Sequence, residues 1–231
     1  MLDPDDSLTF SADGFSGISR VFPLPNVVMF PHVMQPLHIF EPRYRAMLEE
    51  AVAEDRLIAL GMLAPGWESN HEDRPPLMPT ACLCRVATHK RTEGGTYNVL
   101  MLGVRRVRLT RELPPLKPFR EFHADILDDI VQSEGDSRAN QLQKRLLTAF
   151  KAVLPKISEA SEQLDQLLGN QITLGMLSDI VSYTVDIDIE SKLRLLAECD
   201  VIARSSMLID EIAGRAAGLR QRTFPPEFSS N

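Results

Sequence analysis

The chain has little of what most catalytic signatures are built from. None of its 12 glycines falls in a GxxxxGK phosphate loop, and no GxGxxG follows a strand, so nucleotide hydrolysis lacks its usual backbone cradle. Serines and lysines are scattered, with no local pattern that pairs a nucleophile with its base. The three cysteines, Cys82, Cys84 and Cys199, cannot all pair, and a chain of 231 residues can bury a core without disulfide staples. A reducing compartment fits that usage. No apolar run approaches the roughly 20 residues that cross a bilayer. The opening "MLDPDDSLTFSADGFSG" carries acid where a secretory leader carries base, so a cytoplasmic protein with no membrane partner is expected.

Positive charge is also in short supply. A net charge of -7 weighs against a general grip on nucleic acid, which draws on a basic field. Lys90, Arg91, Arg105, Arg106, Arg108 and Arg111 make residues 85–111 locally basic. They read first as the wet face of half-buried strands, and an RNA-binding surface is the alternative. Metal ligands are sparse too. Cys82 and Cys84 in "CLC" would share a strand face near His89, but no CxxC knuckle or second pair accompanies them, so they read as small buried side chains. His32 and His38 flank a turn and His71 sits in the acidic loop "ESNHEDR", none with a partner set by spacing. No metal, no other cofactor and no catalytic residue is expected.

What the chain has is proline in one place. The stretch "VFPLPNVVMFPHVMQPLHIFEPRYRAML", Val21 to Leu48, holds five prolines among dense apolar residues. Proline fixes φ and removes a donor, so this cannot be the middle of a helix or sheet; it predicts short strands and rigid turns along a sheet edge or across a barrel. Pro42 suits a first helical turn, followed by Tyr44, Met47, Leu48, Ala51 and Val52 at helical spacing. "RLIALGML" reads as a strand and "APGWESNHEDRPPLMPT" as a long loop. "ACLCRVATHK" and "TYNVLMLG" flank "RTEGG", a hairpin turn, and Gly103 marks a bulge or corner that would let the sheet curl. Tyr97, Val99 and Met101 share one face of the second strand, and Asn98, Leu100 and Leu102 the other, so cover on both sides is expected. "FREFHADILDD" is a further strand.

Beyond about residue 130 the texture becomes helical. Leu142, Leu146, Ala149, Phe150 and Val153 form one stripe, Leu164, Leu167 and Leu168 a second before Gly169-Asn170, and Ile172, Met176, Leu177, Ile180 and Val181 a third. Asp188 caps a fourth helix, and Val201, Leu208, Ile209 and Ile212 make a fifth that ends before Gly214. The expected organisation is α+β: a flexible arm over 1–17, a β-rich part over 18–130, a helical bundle over 131–220 and a tail over 221–231.

These residues resemble a known family. "FPLPNVVMFPHVMQPLHIFEPRYRAMLEEAVAEDRLIAL" looks like the opening of the Lon protease N-terminal domain: a strand ending in Pro-Leu, an apolar run to Phe-Pro, a second Pro-Leu and a helix. "CLCRVATHKRTEGGTYNVLMLGVRRVRLTRE" resembles that family's hairpin and Gly-x-x-Arg strand, and "LSDIVSYTVDIDIESKLRLLAECDVIAR" its helical part with a K-x-x-LL turn. The resemblance spans about residues 18–214 and is similar in form to the stand-alone bacterial members. It implies a PUA-like β pseudobarrel with one inserted helix, followed by a C-terminal helical bundle, and a non-catalytic role without the ATPase and Ser-Lys peptidase modules of full-length Lon. It also implies polypeptide recognition, with unfolded or hydrophobic segments as partners. Val28, Met29, Phe30 and Met34 beside the turns and Trp67 in the long loop are the candidate contacts. A docking surface for a separate protease, or for a second copy of the chain, is a further alternative.

Overall fold

The computed structural model describes residues 12–69, 74–131, 137–153 and 172–221. The expected helix around Leu164 to Leu168, the ends of the arm and tail, and His71 lie outside these residues. Six strands, β1 (Ile18–Leu24), β2 (Met34–Ile39), β3 (Leu57–Met62), β4 (Thr80–Arg91), β5 (Tyr97–Glu112) and β6 (Arg120–Leu127), form one sheet in the order β2-β5-β4-β3-β1-β6. β6 also pairs with β5, so five strands close into a ring and β2 hangs outside it. Only β1 and β3 run parallel; the crossover between them carries β2 and helix α1 (Pro42–Ala53). The expected α+β barrel with one inserted helix is therefore what the chain forms.

β5 makes this closure possible because its free edge is divided. β2 takes Tyr97 to Leu102, and β6 takes Arg106 to Glu112. Between them the edge of Gly103 receives residues 30–33: the His32 N–H donates to the Gly103 carbonyl at 2.8 Å and the Gly103 N–H to the Val33 carbonyl at 2.9 Å. A Cβ on Gly103 would lie 2.9 Å from the Phe30 carbonyl carbon and closer still to its oxygen, so only glycine fits. The register of β4 against β5 slips beside it, between Leu83 and Cys84, which is the expected corner.

The prolines sit where no ladder bond is required. Pro36 is on β2, which pairs on one side only, and Pro23 lies beyond Val21, where β6 has already left β1. Gly95, with φ 75°, turns the β4–β5 hairpin. The two faces of β5 are not equally covered: Tyr97, Val99 and Met101 are buried, Leu100 and Leu102 half-buried and Asn98 exposed. Phe15, expected in the arm, packs against the barrel interior, and the Gly17 carbonyl accepts from Ala124.

Two apolar clusters lie on opposite faces of β3 and β4. One draws on all five ring strands, with Val21, Ala59, Leu83, Val107 and Phe122, and fills the barrel. The other holds Ile58, Cys82, Cys84, Val86 and Met101 with Met47 and Leu48 of α1. It continues without a break into the helical part, through Leu146, Leu177, Leu195 and Leu208. That part comprises α2 (Ser137–Val153), α3 (Leu174–Thr184), α4 (Ile189–Ala197) and α5 (Val201–Gln221). Asp188 caps α4 as expected, accepting from the Ser191 N–H at 2.7 Å. Gly214 does not end the last helix, which runs through to Gln221.

The joint between barrel and helices is charged. Arg106 of β5, which the basic-surface alternative placed outside, is only 2% exposed and pairs with the fully buried Asp179 of α3. Arg204 of α5, itself 0% exposed, reaches Asp179 at 3.5 Å and Asp129, beyond β6, at 2.6 Å. Arg106 also donates to the Leu196 carbonyl at 3.0 Å, and Arg204 to the Glu198 carbonyl at 2.8 Å. Removing one partner leaves the others buried and uncompensated, which costs about 3–5 kcal/mol. Asp179→Ala is expected to lose stability of that order in urea denaturation, and Gly103→Ala about 1–3 kcal/mol through overpacking; a change below about 0.5 kcal/mol in either would contradict these placements.

Candidate functional site

A cleft of about 570 Å³ opens where β1 ends. Aromatic side chains from four separate segments line it: Phe22 of β1, Phe40 and Tyr44 around the start of α1, Trp67 of the long loop, and Phe119 just before β6. Each arrives for a local reason. β2 alternates so that Ile39 is buried and Phe40 faces out, 62% exposed, and Pro42 then fixes the turn into α1. The first turn of α1 brings Tyr44 against Phe22, ring centroids 4.4 Å apart. Trp67 rides a 3-10 turn in a loop whose flanks are tied together, with the Ala64 N–H donating to the Pro76 carbonyl at 2.9 Å and the Met78 N–H to the Met62 carbonyl at 2.8 Å.

Ion pairs hold the walls. Arg120 grips Glu112 with two N–H groups at 2.8 and 2.7 Å and donates a third to the Pro75 carbonyl at 2.7 Å. Arg74 reaches the same carboxylate at 2.8 Å, so residues 74–75 are clamped to the barrel. Arg43 lies 4.6 Å over the Tyr44 ring and pairs with Glu41 at 2.9 Å. Burial pushes the Tyr44 phenol above its ordinary range, which keeps the hydroxyl protonated and able to donate. Burial would also raise Glu112, but the hydrogen bonds and charges of Arg120 and Arg74 outweigh it and hold the carboxyl below its ordinary range.

Residues 19–214 match the substrate-binding domain of ATP-dependent protease La (LON). The chain belongs to that family. Lon protease 2 of Myxococcus xanthus is 23% identical over 193 residues, covering 82% of this chain and 23% of that protein. Lon protease 1 of Bdellovibrio bacteriovorus is 25% identical over 207 residues, 85% of this chain and 24% of its own length. The chain thus spans about a quarter of these relatives. The N-terminal domain of a Mycobacterium avium complex Lon protease superposes with a TM-score of 0.64 at 17% identity, over 85% of this chain and 98% of that one. A Lon N-terminal domain protein from Xanthomonas campestris gives 0.62 at 16% identity, over 84% and 97%. The Lon N-terminal fold is shared at identities low enough that side-chain details are this chain's own.

Of the five apolar residues expected to contact polypeptide, Trp67 alone lines the cleft of this Lon-family chain. Val28, Met29 and Phe30 are 5%, 1% and 0% exposed and belong to the core, because the Gly103 edge pins residues 30–33 inward beneath the helices. Met34 is 51% exposed, but at the end of β2 remote from Leu37 and His38, which do line the cleft. Nor do the basic residues gather. Lys90 and Arg91 pair opposite Asn98 and Tyr97 at the hairpin end, whereas Arg108 lies ten residues further on, about 30 Å along the path of β5. Arg105 is half-buried, Arg111 contacts His123 at 2.8 Å, and Arg106 is buried. Cys82 and Cys84 are core residues, with burial lifting the Cys82 thiol well above its ordinary range. No helix among the described residues is long and apolar enough to cross a membrane.

Because Glu112 titrates lower in the folded protein than in the unfolded chain, its contribution is full above about pH 4.5 and is lost as pH falls through the folded value. The stability gap between the native chain and Glu112→Gln should therefore be widest near neutral pH and shrink below about pH 4 in urea titrations. A gap that widened with acid would contradict the clamp.

Proposed function

We propose that this chain is a non-catalytic module that holds polypeptide segments in the aromatic cleft. The carrying observation is the convergence of Phe22, Phe40, Tyr44, Trp67 and Phe119, distant in sequence, on one concave surface. Membership of the Lon substrate-binding family supports polypeptide as the ligand class, and concave, largely apolar clefts with a few polar groups are the usual form of binding sites. The arginines and the histidine at the cleft are paired: Arg43 with Glu41, Arg74 and Arg120 with Glu112, and His38 with Asn98 at 2.7 Å. They serve as walls rather than as an acid and base awaiting a substrate.

Binding by such a surface is driven by removing apolar area from water, so it should tolerate salt. Fluorescence anisotropy of a labelled, permanently unfolded polypeptide, with a single-stranded RNA oligonucleotide beside it at two salt concentrations, tests this. Saturable, salt-insensitive binding to the polypeptide is expected, weakened about ten-fold or more by Phe40→Ala, since buried aromatic anchors carry much of an interface's energy. Phe40 is exposed, so its truncation leaves the fold intact. Steeply salt-dependent RNA binding with no polypeptide binding would refute the reading.

A further inference from the structure

We infer that the cleft takes its polypeptide as a short added strand, bonded to the main chain of His38 on the free edge of β2, with every second side chain entering the cleft. The inference rests on the polypeptide reading above and narrows it. β2 ends the sheet and pairs with β5 alone. Which of its residues face outward follows from the β4–β5 hairpin. The Thr92 N–H donates to the Thr96 carbonyl at 2.8 Å and Lys90 lies opposite Asn98, so Asn98 bonds towards β4 while its neighbours Tyr97 and Val99 bond towards β2. Opposite those two stand Ile39 and Leu37. The main-chain groups of Met34, Pro36 and His38 therefore point away from the sheet, which is where a proline belongs.

This edge is closed in its middle and open at one end. Pro36 has no N–H, and its carbonyl accepts from the Gln35 side chain at 2.8 Å, an amide that the Tyr183 hydroxyl holds in turn. His38 keeps both groups, and among the described residues neither has a partner. Its imidazole does not cover them, because it leans over β5 to Asn98 at 2.7 Å. The open end is the one in the cleft: Leu37, His38 and Phe40 line it, and Met34, Gln35 and Pro36 do not. Pairing along the whole strand, as the β2 of a second copy would need, is stopped at Pro36, so the edge suits a short extended segment. Elsewhere in the cleft Pro23, Pro25, Pro75 and Pro118 have no N–H to compete for it. In such a pair the residue opposite His38 shares its outer face, and the residues on either side turn to the face of Leu37. Leu37 packs on the cluster that holds Phe22 and Tyr44, and both of those rings line the cleft. Main-chain bonds then give affinity without regard to sequence, and the rings favour apolar side chains at alternate positions.

A short labelled peptide that alternates leucine and threonine tests the pairing in titrations of the full chain, in three forms: unmodified, N-methylated at each threonine, and N-methylated at each leucine. Leucines in the cleft place a threonine opposite His38, with the threonine N–H groups towards β2. Methylating the threonine nitrogens should weaken binding about ten-fold or more, and methylating the leucine nitrogens less than about three-fold. His38→Pro removes the edge donor and leaves the β5 ladder intact, as Pro36 does, and should weaken the unmodified peptide about ten-fold. In the native chain, hydrogen exchange at the His38 amide should slow when that peptide binds. Equal effects of the two methylations, a larger effect at leucine, or unchanged exchange at His38 under saturation would overturn the inference while leaving the polypeptide reading in place. So would failure of the unmodified peptide to bind where an unfolded polypeptide does. Absence of binding by both would remove the two readings together.

Discussion

The pairing of Arg106 with Asp179 inside the protein is the constraint on which the rest of the structure depends. Four charged side chains from β5, the segment after β6, α3 and α5 meet at one joint, and three of them have no useful contact with water. Charges buried so deeply are tolerable only when paired and hydrogen-bonded with good geometry. The helices therefore have one place to sit on the barrel, and with them comes everything trapped between the two. Residues 28–30 are held between the outer barrel face and α-helical side chains in one continuous core. β2 is fixed by β5 on one side and braced by the Tyr183 hydroxyl of α3 donating to Gln35. The β2–α1 corner that presents Phe40 and Tyr44 thus inherits its position from a joint on another part of the molecule.

Proline serves the opposite end of the same design. Where β1 and β6 part, the chain needs walls that neither fold into the sheet nor invite a stranger's strand to pair with them. Residues with fixed φ and no donor meet both needs. Arginine then does what backbone hydrogen bonds would otherwise do, with Arg120 tying Pro75 and Glu112 into one wall. The outcome is a concave surface whose apolar and aromatic groups stay accessible.

Much of the fold was legible in sequence because its signals are local. Pro42 opening α1, Asp188 capping α4, the Gly94-Gly95 turn and the Gly103 corner each act through their own backbone geometry, and each appears where expected. The family pattern in residues 19–214 supplied the topology, which no local signal carries. The site was much less legible. "VVMF" looks like an exposed recognition surface until the carbonyl of Phe30 is seen against Gly103, a contact across more than seventy residues. Arg106 shares a strand with Arg105 and Arg108, and nothing in "RRVR" says which arginine turns inward; the register slip beside Gly103 decides it. Phe40 did leave a trace, since the alternation of "LHIF" puts it opposite Ile39. Phe119 and Tyr44 did not, because their convergence with Trp67 is a property of the closed barrel.

The single tryptophan, Trp67, lies in the cleft, and its indole N–H gives one isolated resonance in a proton–nitrogen correlation spectrum. Titrating the labelled chain with an unfolded polypeptide should shift or broaden that resonance together with the amides of Phe40 and Tyr44, while those of Arg108 and Arg111 stay in place. Saturable binding that moved the strand-end arginines and left the Trp67 indole unchanged would place the ligand elsewhere and contradict the account.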